Sequence, residues 1–409
     1  MQYPDANTRG VTISRKPKMW QRICSLFLFS LFVIGLSGQI SVVAAKTTLP
    51  KAARASVPEP VLKVKSWLLM DFGSGQILSS GNPDKRIEPA SLTKIMTSYV
   101  VFDKVKKGLF SLEDKVLISN KAWRTGGSRM FVKVNTKVSL GALLRGLIIQ
   151  SGNDAAVAMA EYIAGTEQGF TALMNQEAAR LGMKNTHFVN STGLPDPNHY
   201  STAYDLAILS AALIRDFPEH YAWYKEKEFT YNKITQKNRN LLLWRDPTVD
   251  GIKTGHTQSA GYCLIASSLQ GQMRLIAVIT GAKSNRHRAS AAQALLRYGY
   301  SFYETRQLYA ANSVVATARV YLGDQKQLQV GSLKPIAVTL PRRRFKDSKT
   351  LITLNPVLKA PISKGQQVGE LKVQLRGQVV YTIPLVALTA VAEGSWWRRI
   401  IDHVLLWFT

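Results

Sequence analysis

The stretch from Ala260 to Gly281 constrains the fold of this chain more than any other. Two β-rich apolar runs meet there at Gln270-Gly271-Gln272, which has the composition of a tight turn, and this predicts two adjacent antiparallel strands. The next segment, ASAAQALLRYGYSFYE, returns to helical spacing, as do the apolar residues that follow Pro89. Helices gathered around a mainly antiparallel sheet predict an α+β domain.

The sequence changes character beyond about Leu308. Short β-rich stretches such as VVATARVYLG and VVYTIPLVAL alternate there with Gly, Asn and Pro, and they predict a small all-β sandwich domain that ends near Ala390. The predicted organisation comprises a leader, a linker, an α+β domain, the all-β domain and a terminal helix, at residues 1–45, 46–60, 61–307, 308–390 and 391–409.

The N-terminus has the order of a secretory signal peptide. Basic residues precede the apolar run ICSLFLFSLFVIGL, and the small residues Val43 and Ala45 follow it. The apolar run is shorter than a membrane-spanning helix needs. We therefore expect export with cleavage near Ala45, with an uncleaved anchor as the alternative and Met19 as an alternative start.

Cysteine count and charge narrow the function classes. The two cysteines are Cys24 in the leader and Cys263, so a cleaved chain holds no internal disulfide. The net charge of +27 favours anionic partners. Apart from the run Arg342-Arg343-Arg344, the basic residues are dispersed along the chain, and this dispersal argues against nucleic-acid binding. An exported basic protein is expected at the cell wall or a membrane surface.

The C-terminal segment EGSWWRRIIDHVLLWFT is amphipathic as a helix. One half carries apolar residues and the other half polar ones; the apolar set is Trp396, Trp397, Ile400, Ile401, Val404, Trp407 and Phe408, and the polar set is Arg398, Arg399, Asp402 and His403. This pattern is typical of a helix that lies in a membrane interface. The alternative is a terminal helix that packs on its own domain.

Two short motifs carry possible chemistry. Ser91-Leu92-Thr93-Lys94 places a lysine three residues after a serine, on the same helix face, where a desolvated amine can accept the hydroxyl proton. Lys253-Thr254-Gly255 offers a cation and a hydroxyl for a carboxylate, and Gly255 leaves room for a substrate backbone beside an edge strand. Either motif alone is common in ordinary helices and strands.

The tripeptide Ser-Gly-Asn occurs twice. Ser80-Gly81-Asn82 precedes Pro83 among turn-forming residues, so we expect a turn there. The second copy, which contains Ser151 and Asn153, separates two Ala-rich apolar segments, SLGALLRGLIIQ and AAVAMAEYIAG. A short break between buried helices can direct two polar side chains into a site.

The order of these motifs identifies a family. Ser-x-x-Lys, Ser-x-Asn and Lys-Thr-Gly follow one another as in the penicillin-binding proteins and class A β-lactamases, and the likeness extends to RTGGSRMFVK, KNTHF, YKEKEF and VDGIKTGHT. The chain resembles a low-molecular-mass penicillin-binding protein, a serine-type D-Ala-D-Ala carboxypeptidase similar to peptidase S11. The resemblance implies a β-lactamase/transpeptidase-like catalytic domain and no cofactor.

The resemblance also implies roles for individual residues. It makes Ser91 the nucleophile, Lys94 its proton acceptor and Ser151 the proton shuttle, while Asn153 hydrogen-bonds Lys94 or the substrate. Lys253, Thr254, Gly255 and His256 form the substrate site, where Lys253 and Thr254 bind the terminal carboxylate. The backbone N–H groups of Ser91 and His256 form the oxyanion hole. The implied partners are peptidoglycan pentapeptide and β-lactams, at the periplasmic face of the inner membrane.

Some features depart from the family or stay open. The Glu-x-x-Leu-Asn element of class A β-lactamases does not occur, which predicts slow release of penicillin. No site residue is assigned in NSTGLPDPNHYS. Arg239 and Arg288 are either structural or add positive charge beside the carboxylate. The six histidines form no His-Glu-x-x-His motif and no close pair, which argues against a zinc peptidase. The alternative functions are a D,D-endopeptidase that cuts cross-links and a catalytically idle wall-binding protein.

Overall fold

A computed structural model describes residues 57–408. The predicted leader and most of the predicted linker lie outside this range, as do Thr409 and the side chain of Phe408. Seventeen strands occur in the described part. In chain order, they are β1 Ser66–Asp71, β2 Ile77–Gly81, β3 Lys115–Leu117, β4 Lys137–Ser139, β5 Glu228–Tyr231, β6 Ile234–Lys237, β7 Val249–Thr257, β8 Gly261–Gln270, β9 Met273–Ala282, β10 Tyr303–Tyr309, β11 Val314–Tyr321, β12 Gln327–Gly331, β13 Ile336–Pro341, β14 Ser348–Leu354, β15 Leu358–Lys359, β16 Gln367–Leu375 and β17 Gln378–Ala387.

The same part of the chain forms ten α-helices. They are α1 Lys94–Lys106, α2 Asn120–Arg124, α3 Leu140–Arg145, α4 Asn153–Ala164, α5 Glu167–Leu181, α6 Ala203–Asp216, α7 Pro218–Tyr221, α8 Leu242–Arg245, α9 Asn285–Phe302 and α10 Trp396–Leu405. A 3-10 turn, Ala90–Thr93, leads directly into α1, and a π-helical turn, Gly146–Gln150, extends α3.

The central sheet has five antiparallel strands in the order β2-β1-β9-β8-β7. Strands β8 and β9 confirm the predicted strand pair, which turns at Gly271. Neighbouring residues of β1 enter different cores, since Leu68 packs with the helices around α1 and Leu69 packs with α9. Successive side chains of a strand point to opposite faces, so the sheet is buried between two helical layers, as the α+β prediction required.

The first Ser-Gly-Asn copy is mainly strand, which corrects the prediction of a turn. Ser80 and Gly81 end β2, where Gly81 pairs with Trp67 of β1. A Cβ on Gly81 would collide with the Trp67 ring, so a glycine there lets the ring cover the strand. Asn82 alone has the left-handed backbone of a turn, with φ of 51°.

The C-terminal β domain contains a six-stranded sheet in the order β14-β16-β17-β12-β11-β15 and the pair β10–β13. Its core is continuous with that of α9, because Leu295 of this helix packs in the same cluster as Val338 and Leu340. The predicted boundary after residue 307 falls inside β10, whose partner is β13. The domain limits therefore stay a prediction.

Helix α10 contacts the β domain through its polar side. Asp402 is buried and accepts a hydrogen bond of 2.6 Å from the Leu322 N–H, and Arg398 donates to the carbonyl of Asp324. The apolar side of the helix faces outward, with Trp396 at 60% exposure, and Trp407, two residues beyond the end of the helix, is 87% exposed. Within residues 57–408, no helix has the length and apolarity needed to cross a membrane.

Candidate active site

The Ser91 and Lys94 side chains meet at the junction of the 3-10 turn and α1. The three-residue spacing places them on one face, and Lys94 Nζ lies 3.1 Å from Ser91 Oγ. Lys94 is completely buried, while Ser91 is partly accessible. The predicted pairing of nucleophile and amine is therefore geometrically possible.

Asn153 begins α4 and orients the amine. Its Nδ2 donates to the carbonyl of Gly126 at 2.6 Å, and a carbonyl only accepts, so Oδ1 must face Lys94. Lys94 Nζ donates to this Oδ1 at 2.6 Å and to the carbonyl of Thr192 at 2.6 Å. The structure thus brings Ser91, Lys94 and Asn153 together, as the motif order predicted.

These contacts determine what the amine can do. A neutral amine has two N–H groups and one lone pair, and both N–H groups of Lys94 are taken by acceptors that cannot donate. The remaining direction is toward Ser91 Oγ, so the lone pair can accept the hydroxyl proton. Burial lowers the pKa of Lys94 to about 7, aided by the positive charge of Arg239 and opposed by Asp154. A substantial fraction of Lys94 is therefore uncharged near neutral pH.

Ser151 lies in the break between the π-helical turn and α4. It has a left-handed backbone, with φ of 68°, and it is buried. Its Oγ has no hydrogen-bond partner within the described residues. Since buried hydroxyls normally have a partner, this one is available to a group that enters the site.

The residues around the break hold it in this shape. The Asn153 N–H donates to the carbonyl of Ser128 at 2.7 Å. The Asp154 carboxylate accepts the backbone N–H groups of Met130, Phe131 and Val132 at 2.9 to 3.2 Å. Asp154 thereby ties the loop that follows α2 to the start of α4, and it fixes two site segments at once.

Lys253, Thr254 and Gly255 lie within β7, the edge strand of the central sheet beside the 3-10 turn. A Cβ on Gly255 would lie 3.1 Å from the carbonyl oxygen of Pro89 and 3.3 Å from Ala90 Cβ. The glycine therefore allows β7 to approach the turn that carries Ser91. This corrects the expectation that Gly255 makes room for a substrate backbone.

Positive charge is concentrated at β7. Burial lowers the pKa of Lys253 well below its usual value, and the charges of Lys94, Arg239 and Arg288 lower it further. These three charges are all cationic, so an entering carboxylate would relieve this repulsion. His256, one residue beyond Gly255, is exposed and packs against the Tyr262 ring with centroids 4.1 Å apart.

The two arginines left open by the sequence have different environments. Arg288 is buried and donates to the backbone carbonyls of Gly255, at 3.0 Å, and Cys263, at 3.4 Å, so it supports β7 and β8. Arg239 is exposed and acts on both active-site lysines through its charge. Arg288 therefore has a structural contact, and Arg239 contributes to the potential of the site.

The segment from Asn190 to His199 contains site groups that the sequence analysis missed. Thr192 contributes its backbone carbonyl to Lys94, and a search for reactive side chains does not detect a backbone group. Asn190 Oδ1 accepts the N–H groups of Thr192 and Gly193 and thereby shapes this loop. The one available signal was the turn-forming composition around Asn190 and Gly193.

His199 joins the same loop to the Ser-x-x-Lys turn. Its Nδ1 accepts the N–H of Val189 at 3.3 Å, so a neutral ring carries its proton on Nε2, which lies 2.8 Å from Thr93 Oγ1. Burial lowers the pKa of His199 to about 4, so the ring is neutral at pH 7. The described residues contain no cluster of His, Cys, Asp and Glu that could hold a metal ion.

Comparison with known proteins places this site in context. Residues 52–284 match the family of D-alanyl-D-alanine carboxypeptidases, peptidase S11, and residues 303–393 match the C-terminal domain of penicillin-binding protein 5. The D-alanyl-D-alanine carboxypeptidases DacC and DacA of Escherichia coli K12 are 45% and 44% identical to this chain; the alignments cover 87% and 85% of it and 91% and 89% of those proteins.

Solved structures agree with the sequence comparison. Penicillin-binding protein 5 from Haemophilus influenzae is 42% identical, with a TM-score of 0.78 over 82% of this chain and 100% of that one. Penicillin-binding protein 6B from Escherichia coli is 40% identical, with a TM-score of 0.68 over 80% of this chain and 96% of that one. The likeness thus extends over both domains.

Proposed function

Because the chain belongs to the D-alanyl-D-alanine carboxypeptidase family of penicillin-binding proteins, we propose that it removes the terminal D-Ala of peptidoglycan pentapeptide through an acyl-enzyme on Ser91. One observation supports the assignment of Ser91 as the nucleophile and Lys94 as the base. The Lys94 amine has two fixed acceptors at 2.6 Å, and its third direction faces Ser91 Oγ at 3.1 Å. This arrangement prepares a base beside a nucleophile.

The proposed acylation proceeds as follows. Ser91 Oγ attacks the carbonyl carbon of the D-Ala-D-Ala bond while its proton passes to Lys94 Nζ. The backbone N–H groups of Ser91 and His256 stabilise the oxyanion, and loss of one such donor typically costs about 2.7–4 kcal/mol. The C–N bond then breaks, and Ser151 relays the proton from Lys94 to the leaving amine. Water hydrolyses the ester and restores Ser91.

Recognition of the C-terminal carboxylate is assigned to β7. Lys253 and Thr254 lie on this strand and are nearly buried, and the positive charges of Arg239 and Arg288 act on the same place. A carboxylate held there would place the preceding peptide bond near Ser91, because Gly255 packs on the turn before Ser91. A carboxypeptidase requires a free carboxylate beside the scissile bond, so this site fits the proposed reaction.

The same nucleophile would react with β-lactams. A penicillin-binding protein of Listeria monocytogenes that is 29% identical to this chain has been solved in an ampicillin-bound form. Because the Glu-x-x-Leu-Asn element is missing from this sequence, we expect the penicilloyl enzyme to hydrolyse slowly.

We place the protein at the periplasmic face of the inner membrane as a peripheral protein. The support is the signal-like N-terminus and the outward apolar side of α10. Half-burial of six large apolar side chains would contribute on the order of 5–9 kcal/mol. The docked polar side would leave the helix parallel to the membrane surface.

Mass spectrometry of the penicillin-treated protein tests the assignment. We expect one penicilloyl adduct on the peptide that contains Ser91, and a mature N-terminus near residue 46. Ser91→Ala should abolish both the adduct and D-Ala release from a soluble pentapeptide, whereas Ser80→Ala should retain both. An adduct on Ser91→Ala would contradict the mechanism. Cross-linked muropeptides assayed in parallel distinguish carboxypeptidase from endopeptidase activity, and turnover of either excludes an idle wall-binding protein.

A further inference from the structure

A cavity of about 1150 Å³ lies between the α+β domain and the β domain. Its walls include the turn Phe72–Gly75, which joins β1 to β2, helix α6, and the segment Leu333–Ala337 at the start of β13. The residues that line it include none of the motif residues around Ser91. This interdomain cavity is therefore a different site from the candidate active site.

The wall of the interdomain cavity is fixed by a polar cluster that crosses the domain boundary. The buried Asp71 carboxylate accepts hydrogen bonds from the Ser74 N–H and hydroxyl, each at 2.7 Å, and from the Thr305 hydroxyl at 2.8 Å. Ser74 Oγ also lies 2.7 Å from Thr339 Oγ1, and the Tyr381 hydroxyl donates to the Thr339 carbonyl. Ser74 and Thr305 both line the cavity, so its shape exists before any ligand enters.

The acidic groups of the cavity are already bound by the protein. Asp205 accepts hydrogen bonds from the Asn185 N–H and the Thr186 hydroxyl, each at 2.8 Å, and Asp84 also interacts with other protein groups. The hydrogen bonds to Asp205 occupy acceptor positions that a ligand's donor groups would otherwise use.

The basic groups are only partly bound. Arg215 forms a bidentate pair with Asp216, at 2.7 and 2.9 Å. Lys184 of the α+β domain and Lys334 of the β domain are exposed and pair with no carboxylate within residues 57–408. Both line the cavity, so a ligand would meet one free ammonium on each domain.

The remaining surface combines apolar and amide groups. Phe72, Ile208 and Leu333 provide apolar surface, and Gln272 and Gln307 provide planar amides. Sugar rings pack their apolar faces on such side chains and exchange hydrogen bonds with amides. The volume exceeds the roughly 300–1000 Å³ of small-molecule pockets, which favours a segment of a polymer over a small metabolite.

We propose that the interdomain cavity is a second, non-catalytic binding site for acidic glycopeptide strands. The sugar rings lie against the apolar wall, and the peptide carboxylates bind Lys184 and Lys334. This inference rests on the proposed function, because the same polymer presents the pentapeptide that Ser91 attacks. Attachment at the cavity would keep the enzyme on one strand between successive cleavages.

The test uses the full-length protein with its active site blocked by penicillin. The probe is soluble, uncross-linked peptidoglycan strands whose peptides have been trimmed to tripeptides, so that no D-Ala remains to be cleaved. We expect the penicilloyl enzyme to bind these strands as well as the free enzyme does. Lys184→Glu combined with Lys334→Glu should weaken binding about tenfold or more, with an unchanged thermal unfolding midpoint.

A control with the same change in net charge separates the cavity from general attraction. Lys349→Glu combined with Lys359→Glu alters two exposed lysines of β14 and β15, and binding should change less than about twofold. Equal loss in both variants, no effect of the cavity variant, or no binding to the penicilloyl enzyme would overturn the proposal. Wild-type D-Ala release is measured in parallel, so a failure of the proposed function would show there and not in strand binding.

Discussion

Gly193 offers the sharpest test of the arrangement around Lys94. Its φ is 83°, and a Cβ at this position would lie only 1.8 Å from the carbonyl oxygen of Ala90, the residue before Ser91. Cβ atoms in real structures are not found closer than 3.0 Å to another heavy atom in this way. In Gly193→Ala, the loop that contains residue 193 and the 3-10 turn that carries Ser91 must therefore separate by about 1.2 Å.

This displacement would act directly on the base. The neighbouring Thr192 carbonyl is one of the two acceptors of Lys94, and misplacement of a catalytic group by about 1 Å can cost about 100-fold in rate. We expect the acylation rate with a fluorescent penicillin to fall about 100-fold or more in Gly193→Ala. The left-handed backbone adds a loss of about 1–3 kcal/mol in the free energy of unfolding.

Gly377→Ala is the matched control. Gly377 has a similar φ of 80°, and a Cβ there would meet nothing within 4 Å, so this variant carries the backbone strain without the collision. It should lose only the roughly 1–3 kcal/mol that comes from the left-handed backbone, and it should acylate at the wild-type rate. If Gly193→Ala acylated within about threefold of wild type, the inference that this loop positions Lys94 would be refuted.

Three further predictions concern the active site and the C-terminal segment that contains helix α10. The acylation rate should rise with pH through about 7 as Lys94 loses its proton. Arg239→Gln removes a charge that lowers this pKa, so the midpoint of the pH profile should move to higher pH in a stopped-flow series. A midpoint that stayed the same or moved lower would count against the role of Arg239. Ser151→Ala should reduce the acylation rate about 100-fold or more, whereas Asn82→Ala, in the first Ser-Gly-Asn copy, should acylate normally. If the two variants acylated at the same rate, Ser151 would not be the proton relay. Deletion of residues 396–409 should release the protein from membranes in fractionation and leave turnover of soluble pentapeptide unchanged; continued membrane association would indicate an uncleaved N-terminal anchor.

The sequence predicted those site residues that belong to motifs with a fixed order along the chain. Ser91, Lys94 and Asn153 meet as the motifs required, and the β8–β9 pair follows from composition and spacing. The Ser91–Lys94 spacing and the β8–β9 pair are local, because each depends on residues that are close in sequence. The contact of Lys94 with Asn153 joins distant residues, and it was predicted from the order of the motifs along the chain.

Other features depend on contacts that no local pattern contains. The Thr192 carbonyl is a backbone group and leaves no residue-type signal. The need for glycine at Gly255 comes from the turn before Ser91, which is distant in sequence. Ser80 and Gly81 have turn-forming neighbours, but pairing with β1 keeps them in a strand. In each case tertiary contact outweighs local preference.

The crowding of cations at β7 couples ligand binding to proton uptake. In the free enzyme, burial and three neighbouring charges lower the pKa of Lys253. A bound carboxylate favours the ammonium form of Lys253, so occupancy should raise that pKa. At a pH between the pKa of Lys253 in the free enzyme and its pKa in the complex, calorimetric binding enthalpies of an uncleavable carboxylate ligand should vary with the ionisation enthalpy of the buffer, and affinity should fall as pH rises through this interval. Peptide ends would thus be bound more tightly below this interval than above it, whereas Lys94 loses its activity as a base below about pH 7.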